Sequence, residues 1–211
     1  MKRNRGWIVL DPGHGEKGNP HTTAPDFYDG YYEGTQNFVL AGFLKEELLA
    51  RGFSVFVTRE HVTDDPPLDV RGRAAGERGA ILFLSLHSNA PATSIPPERY
   101  YGIRGSEVFY SLTDPEGNVP LATALSEAVA EVMQTPNRGI KIRAYPDRPD
   151  TDFYGVIRNS AQSGCKCALL IEHGFHTNRE DSMFLRDPDS LRRLARAEAE
   201  VIDRFFAEKG I

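Results

Sequence analysis

The sequence predicts an α/β domain. Short apolar runs alternate with amphipathic stretches along the chain, and this alternation is typical of strand–helix–strand units. Two of the runs, Ala80–Leu86 and Cys167–Glu172, are apolar nearly throughout, as expected of strands covered on both faces. The 211 residues suffice for one such domain, and they contain no visible internal repeat or linker.

The first part of the chain is predicted to contain two strands and two helices around one long loop. Leucines recur every four residues at positions 40, 44 and 48, and Gly52 follows as a helix stop. The elements in order are a strand at Trp7–Leu10, a loop at 12–34, a helix at Thr35–Arg51, a strand at Phe53–Thr58 and a helix at 68–79. The last helix is expected to place Arg71, Arg73, Glu77 and Arg78 on its solvent face.

The remainder of the chain continues the same alternation after the strand Ala80–Leu86. Pro136 ends one predicted helix, and Asp187-Pro188 places a proline at the first position of the last helix. The elements in order are a Pro-rich loop at 91–104, a strand at Ser106–Ser111, a helix at 119–134, a polar loop at 144–152, a helix at Phe153–Ser163, the strand Cys167–Glu172 and a final helix ending near Gly210.

Composition excludes several classes of protein. Hydrophobic residues make up 40% and charged residues 26%, so the chain is not disordered or fibrous. The formal charge of -5 argues against a protein that mainly grips nucleic acid. No apolar run is long enough for membrane insertion. Cys165 and Cys167 are too close for an unstrained bridge and too few for a zinc–sulfur site, and we expect both to be reduced.

Three polar features follow predicted strands. His14 lies in the loop after the first strand, His87 follows Leu86, and Glu172 ends the strand that begins at Cys167. In open α/β sheets, ligands bind beyond the carboxyl ends of the strands, so these side chains can converge although they are distant in sequence.

His14 and His87 are suited to bind zinc, and Glu33 is the best candidate for a third ligand. Glu33 lies at the entrance to the first helix, where the helix dipole favours an ionised carboxylate. Glu172 is then a candidate general base. Ordinary roles stay open at this point: each histidine as a hydrogen-bonded residue, Glu33 as a helix cap, and Glu172 in a salt bridge with Arg158 or Arg179.

Several segments, in their order along the chain, resemble the zinc-dependent N-acetylmuramoyl-L-alanine amidases of bacterial autolysins, spore-lysis enzymes and phage endolysins (the Amidase_3 type). Each segment alone is a weak signal, but the ordered set is specific and covers almost the whole chain. The segments are Ile8–Gly15, Glu33–Ala41, Thr58-Arg59 with Leu68 and Arg71, Ser85–Ala90, Asn137–Lys141 and Ile171–Asn178.

The resemblance implies a fold, a cofactor and an activity. It implies a single twisted, mostly parallel sheet flanked by helices on both faces, with residues 1–211 forming one catalytic domain and no separate cell-wall-binding domain. It implies one catalytic Zn²⁺ on His14, Glu33 and His87, with Glu172 catalytic. The implied reaction is cleavage of the amide between N-acetylmuramic acid and the L-alanine of the stem peptide in peptidoglycan.

Substrate contacts are less clearly indicated. We expect Asn89 and Arg143 to face the glycan strand and its stem peptide. His173 and His176, which flank Glu172, are expected either to face the substrate as well or to lie behind the metal ligands, rather than to bind the metal. Asp11 is expected to hold its own loop. The loop 16–32, with His21, Tyr28, Tyr31 and Tyr32, and the loop 91–105 either shape the groove as lids or are passive surface segments.

Two alternative functions stay open. One is a zinc peptidase that cuts within the stem peptide, and the other is a non-catalytic wall-binding module. We expect no nucleic-acid partner, and the sequence does not indicate an oligomeric state. No export signal is visible, because the apolar stretch behind the basic residues 2–5 ends at Leu10. Release by cell lysis or through a holin, or an export signal outside this sequence, would each bring the protein to the wall.

Overall fold

A six-stranded sheet forms the centre of the computed structural model, which describes residues 5–21, 23–24 and 30–211. Its strands are β1 (Trp7–Pro12), β4 (Ser54–Val57), β5 (Leu82–Asn89), β6 (Ser106–Tyr110), β7 (Asn137–Lys141) and β10 (Ala168–Phe175). The spatial order is β4-β1-β5-β10-β6-β7. Four strands are parallel, and β6 pairs antiparallel with β10 while β7 runs parallel to β6. The predicted mostly parallel α/β fold is confirmed.

Two short ribbons accompany the main sheet. They are formed by β2 (Pro20–His21) with β3 (Tyr31–Tyr32), and by β8 (Ala144–Tyr145) with β9 (Arg148–Asp152). The second ribbon occupies the segment 144–152, which the sequence predicts to be a polar loop. The prediction was wrong because the alternating hydrophobic pattern of a buried strand is absent from this exposed hairpin.

Helices cover both faces of the sheet. The described helices are α1 (Glu33–Ala50), α2 (Leu68–Glu77), α3 (Pro97–Tyr100), α4 (Pro115–Met133), α5 (Gly155–Gln162), α6 (Arg179–Arg186) and α7 (Pro188–Glu208). One face packs its apolar side chains against α1, α4 and α7. The other face packs against α2 and α5 in a smaller cluster that includes Val9, Phe83 and Leu170.

Two helix boundaries differ from the predicted ones for physical reasons. The helix α1 begins at Glu33, two residues before Thr35, and this places the Glu33 carboxylate in the first turn. The helix α4 begins at Pro115, where Asp114 accepts a hydrogen bond from the Gly117 backbone. Pro120 lies in the second turn of that helix, where a proline lacks the N–H of an intrahelical hydrogen bond.

The remaining differences involve short elements. The strand β7 and the helices α3 and α6 are absent from the predicted set. The strand β7 lies at the edge of the sheet and begins with Asn137, Arg138 and Gly139. It therefore lacks the apolar pattern from which a strand is predicted. The helix α6 has only eight residues and is recognisable chiefly from its cap, because Asn178 accepts hydrogen bonds from the backbone of Glu180 and Asp181.

Among the described helices, none combines the length and apolar character that a bilayer span requires. Cys165 and Cys167 are both free thiols, as predicted. Tyr28 of the candidate groove loop lies outside the described residues.

Candidate active site

The loop after β1 brings His14 to the carboxyl end of the parallel strands. His14 has a backbone φ of 61°, in the left-handed region that a residue with a side chain seldom adopts. Its backbone carbonyl accepts a hydrogen bond from Arg71 Nη2 at 3.3 Å. The surrounding contacts therefore hold a strained conformation that aims the imidazole at the neighbouring strand.

Two glycines allow the close approach that this loop requires. A Cβ atom on Gly13 would lie 2.2 Å from the His87 ring, and a Cβ on Gly34 would lie 1.8 Å from the carbonyl oxygen of Gly15. Any side chain at either position would push the loop away from β5 or from α1. Close packing around the two histidines therefore requires glycine at both positions.

His14, Glu33 and His87 meet at one point, as the sequence predicts. One candidate ligand atom from each residue lies within 4.8 Å of the other two. Glu33 Oε2 is 3.4 Å from His14 Nε2, and Glu33 Oε1 accepts a hydrogen bond from His87 Nδ1 at 2.9 Å. Two imidazoles and one carboxylate form a donor set that zinc binds in hydrolytic sites with an open position.

Glu33 is held by a shell of donors although its side chain is buried. Its Oε1 accepts from the Ser88 backbone N–H at 3.0 Å and from Asn37 Nδ2 at 3.4 Å, and its Oε2 accepts from Asn19 Nδ2. Burial opposes ionisation, but the hydrogen bond from His87 and the charges of both histidines lower the pKa of Glu33 to about 2. The carboxylate is therefore ionised, which is the form that binds a metal.

The two histidines differ in their titration. Burial lowers the pKa of His14, which favours the neutral imidazole that coordinates metals. Burial also disfavours the charged form of His87, but the hydrogen bond and charge of Glu33 raise the pKa of His87 to about 9. In the metal-free protein, His87 and Glu33 therefore form an ion pair that a bound cation must replace.

Glu172 lies beside this group on the adjacent strand. It is paired in register with His87 of β5, and the register of β10 shifts by a bulge between Glu172 and Phe175. Its Oε2 is buried and has no hydrogen-bond partner among the described residues. Burial raises the pKa of Glu172 to about 8, while the His87 charge lowers it and the Glu33 carboxylate raises it. Arg158 instead donates to the backbone carbonyl of Asp152 at 2.7 Å.

A cavity of about 470 Å³ joins these residues. Its lining includes His14, Glu33, His87, Asn89, Tyr154 and Glu172. A concave site with a buried carboxylate and a convergent donor set is typical of an enzyme active site. The metal ligands and the general base predicted from the sequence thus lie in one cleft.

Arg71 corrects one sequence prediction. The helix α2 was expected to expose Arg71, but the guanidinium is 2% exposed and contacts the loop that carries His14. It donates to Asp11 Oδ1 at 3.2 Å and to the Pro12 carbonyl at 2.9 Å. Asp11 also accepts from Thr58 and Ser85, so its carboxylate has a structural role, but through distant side chains rather than through its own loop as predicted.

Arg59 supports the same loop from the other side. It is buried and donates to the carbonyl oxygens of Gly34 at 2.9 Å and Pro12 at 3.4 Å. Its ring contact with Phe38 places the guanidinium carbon 5.2 Å from the ring centre. The sequence alone does not distinguish such an arginine from a solvated one, because the carbonyl groups that bind it come from distant turns.

The structure does not bring His173 or His176 to the cleft surface. Both are buried. His173 donates from Nδ1 to the His87 carbonyl at 2.9 Å, and its Nε2 is 2.6 Å from Glu198 Oε1 on α7. His176 stacks on Tyr31, with ring centres 4.9 Å apart, and bonds the Ser88 hydroxyl through Nδ1 at 2.8 Å. These contacts place both histidines behind the ligands.

Asn89 and Arg143 occupy different positions. Asn89 lines the cleft and donates from Nδ2 to Glu107 Oε1 at 3.0 Å. Arg143 is exposed, and its guanidinium lies 3.8 Å from the centre of the Phe153 ring. The sequence analysis missed Glu107, because its partners lie between 18 and 34 residues away along the chain.

The loop 91–105 is attached to α6 rather than to the cleft. Asn178 Nδ2 donates to the Tyr101 carbonyl at 2.9 Å, and Arg104 Nε donates to Asp181 Oδ1 at 3.2 Å. Thr135 Oγ1 also donates to Asp181 Oδ1 at 2.8 Å. These bonds hold the loop against the body of the domain.

Residues 8–204 match the model of a protein family described as N-acetylmuramoyl-L-alanine amidase, Amidase_3. The chain belongs to this family. The resemblance found in the sequence is thereby confirmed. The family is generally zinc-dependent, and His14, Glu33 and His87 form a possible metal site.

Two curated relatives of the amidase family are similar in sequence. The amidase LytC of Bacillus subtilis (strain 168) is 30% identical over 180 residues, covering 85% of this chain and 31% of the relative. The amidase CwlM of Bacillus licheniformis is 27% identical over 203 residues, covering 94% of this chain and 68% of the relative. The chain therefore spans less than a third of the length of LytC and about two thirds of CwlM.

A solved amidase structure has the same fold. The N-acetylmuramoyl-L-alanine amidase of Clostridium difficile 630 aligns with a TM-score of 0.78 at 23% identity, covering 99% of this chain and 100% of that chain. This likeness supports the mostly parallel α/β architecture.

Proposed function

We propose that this chain is a peptidoglycan hydrolase that cleaves the amide between N-acetylmuramic acid and the L-alanine of the stem peptide. The observation that carries the proposal is the partly buried Glu172, paired in register with His87 at the cleft where His14, Glu33 and His87 meet. Membership of the amidase family and the names of the relatives support the choice of substrate.

His14, Glu33 and His87 would hold one catalytic Zn²⁺. The ionised Glu33 carboxylate and two imidazoles satisfy the ligand chemistry of zinc once His87 releases its proton, and His173 donates a hydrogen bond to the backbone carbonyl of His87. When bound, zinc supplies a Lewis acid that acidifies water and polarises a carbonyl group. The remaining steps belong to side chains of the protein.

Glu172 transfers the proton in the proposed reaction. Its carboxylate accepts the proton of the attacking water and then delivers it to the departing nitrogen of L-alanine. A carboxyl group whose pKa is raised toward neutrality is suited to both steps, because it binds and releases the proton near the working pH. Among the described residues no protein group donates a hydrogen bond to Oε2, so no protein donor holds that oxygen of the carboxylate.

We further propose that Asn89 and Arg143 contact the substrate, whereas His173 and His176 position the ligands. Residues 1–211 would form one catalytic domain that acts on the cell wall. Asn89 lies in the cleft, and Arg143 Nη1 lies 3.4 Å from the hydroxyl of the cleft residue Tyr154. The buried contacts of the two histidines favour a role behind the metal site.

Digestion of purified peptidoglycan tests the proposed reaction. We expect new L-alanine amino termini and glycan strands with intact, unsubstituted muramic acid, detected by mass spectrometry. Amino termini from residues further along the stem peptide would instead indicate a peptidase. Wall binding with no cleavage by the zinc-loaded protein would indicate a binding module.

A further inference from the structure

Three acidic or metal-binding side chains form a row across neighbouring strands. Glu172 of β10 is paired with His87 on one side and with Glu107 of β6 on the other. Residues paired in this way project from the same face of a sheet. Glu107 therefore extends the line of the active site away from the metal ligands, on the far side of the general base.

Glu107 is buried and binds three donors that come from two strands, β5 and β7. Its Oε1 accepts from Asn89 Nδ2 at 3.0 Å, and its Oε2 accepts from Arg138 Nε at 3.0 Å and from Lys141 Nζ. One carboxylate thus holds two cationic groups. Arg138 and Lys141 are 38% and 37% exposed, so their heads lie at the surface while their positions are set by a buried partner.

Arg143 adds a third cation. Its guanidinium stacks on Phe153 at 3.8 Å, and its Nη1 donates to the hydroxyl of Tyr154 at 3.4 Å. Tyr154 lines the cleft, which connects Arg143 to the wall of the active site. We call Arg138, Lys141 and Arg143 the cationic cluster. With Glu107 included, the formal charge of the group is +2.

The cationic cluster retains unused donors. Within the described part of the chain, the Nη groups of Arg138 have no protein acceptor, and Lys141 Nζ donates only to Glu107. Charged donors that are held in place and partly exposed are suited to bind an anion, most strongly a carboxylate. The neutral hydroxyl groups of a glycan would leave this charge uncompensated.

We propose that the cationic cluster binds a free carboxylate of the stem peptide, beyond the L-alanine, and so selects peptides that carry one. The proposal rests on the proposed amidase function. Glu107 acts as a positioning residue, because it sets Lys141 and Arg138 through direct hydrogen bonds. The cluster lies beyond Glu172 along the row, opposite to the metal ligands, which is the side expected for the departing peptide.

Matched substrates test this selectivity. The probes are two soluble muramoyl peptides that differ only at the second residue of the stem, which carries either a free α-carboxylate or its carboxamide. The variants are Lys141→Gln with Arg143→Gln, and the control is Arg204→Gln on the exposed face of α7. Zinc content and melting temperature are measured for each protein to verify that it is folded and loaded.

We expect the double variant to lose about 10-fold to 100-fold in kcat/KM on the acid, mainly through a higher KM, because charge-assisted hydrogen bonds are lost. On the carboxamide the double variant should lose at least about fivefold less than on the acid, because the charged partner is absent, and the control should stay within about twofold of the wild type on both substrates. Equal losses on both substrates, or a wild type that treats both alike, would overturn the proposal.

A binding measurement gives a second readout. In Glu172→Gln, calorimetry with the peptide L-Ala-D-Glu and its α-carboxamide should show tighter binding of the acid, and the double variant in this background should remove the difference. Equal affinities in the Glu172→Gln protein refute the carboxylate site. Failure of the wild type to release L-alanine amino termini from peptidoglycan refutes the amidase function itself, so the two failures are distinguishable.

Discussion

The metal-ligand side of the cleft and the cationic cluster hold their charged groups in opposite ways. Around His14, the supporting side chains of Asp11, Arg59 and Arg71 are almost fully buried and bind backbone carbonyls or one another. In the cationic cluster, each cation is more than a third exposed, and the buried Glu107 carboxylate holds two of the three. The candidate metal ligands are therefore fixed by the core of the domain, whereas the cations of the cluster can adjust at the surface.

The largest effect should follow from loss of a metal ligand. His14→Ala or His87→Ala removes one of three donors, and we expect zinc content near zero with activity reduced by at least about 10³-fold. His61→Ala, at an exposed histidine outside the site, is the control and should retain both. Metal analysis of the purified proteins and wall digestion measure the outcome. Normal zinc content in either ligand variant would contradict the assigned site.

Loss of the general base should separate chemistry from metal binding. We expect Glu172→Gln to keep its zinc and to lose about 10²-fold to 10⁴-fold in kcat, because the side chain retains its shape but accepts no proton. Glu77→Gln, at an exposed position on α2, should behave as the wild type. Zinc content and turnover are measured on the same preparations. Turnover close to that of the wild type would exclude Glu172 as the base.

Removal of the buried arginine should test the support of the ligand loop. Arg71→Met breaks the ion pair with Asp11 and leaves that carboxylate buried, so we expect a loss of about 3–5 kcal/mol in the free energy of unfolding. Arg73→Met, two residues along the same helix and exposed, should change it by less than about 0.5 kcal/mol. Urea unfolding of both variants compares them directly. Similar losses in the two variants would mean that the buried ion pair of Arg71 does not contribute to the free energy of unfolding.

The pH dependence of stability should report the burial of Glu172. In the metal-free protein its pKa is about 8, whereas the ordinary value is 4.5. Between these values the unfolded chain has released the proton and the folded chain has not, so the free energy of unfolding falls as pH rises through this window. Glu172→Gln should remove this loss and be more stable than the wild type near pH 8, with little difference near pH 4.5.

This dependence is separable from that of Glu33. The pKa of Glu33 is lowered to about 2, so its contribution is present above pH 4.5 and is lost only as pH falls toward 2. Chemical unfolding of metal-free wild type and Glu172→Gln across the upper window measures the effect. Parallel stability curves for the two proteins would contradict the burial of an ionisable Glu172.

The smallest expected effect concerns the pair behind His87. Glu198→Gln weakens the bond to His173, whose Nδ1 binds the His87 carbonyl, so we expect zinc affinity to fall by about tenfold. Glu200→Gln on the same helix is exposed and serves as the control. Competition with a chromophoric chelator measures the affinity. An unchanged affinity in Glu198→Gln would show that this pair acts on folding alone.

The parts predicted from sequence share a common cause. The strands β1, β5 and β10 and the helix α1 are long apolar or periodic segments, and the ligands and the base lie at or near their carboxyl or amino ends. The local hydrophobic pattern of the sequence therefore predicted these elements and the polar residues at their ends. The prediction of His14, Glu33 and His87 also drew on family resemblance, because their spacing alone forms no compact motif.

The parts that were missed depend on distant contacts. Arg71 has the same local sequence character as the exposed Arg73, and only the turn carbonyls and Asp11 distinguish it. Glu107 acquires its role from Asn89, Arg138 and Lys141, which the antiparallel pairing of β6 and the edge strand β7 bring together. Roles of this kind can be predicted only when the order of the strands in the sheet is known.

The alternation of side chains along β10 has a consequence for how this protein can change. Glu172 projects toward the cleft, whereas the next residue, His173, projects toward Glu198 on the opposite face. Inserting or deleting a single residue between Ala168 and Glu172 would exchange these two directions. Evolution or engineering can therefore keep Glu172 on the cleft face only by changing the length of this segment in steps of two residues. Surface loops have no such requirement.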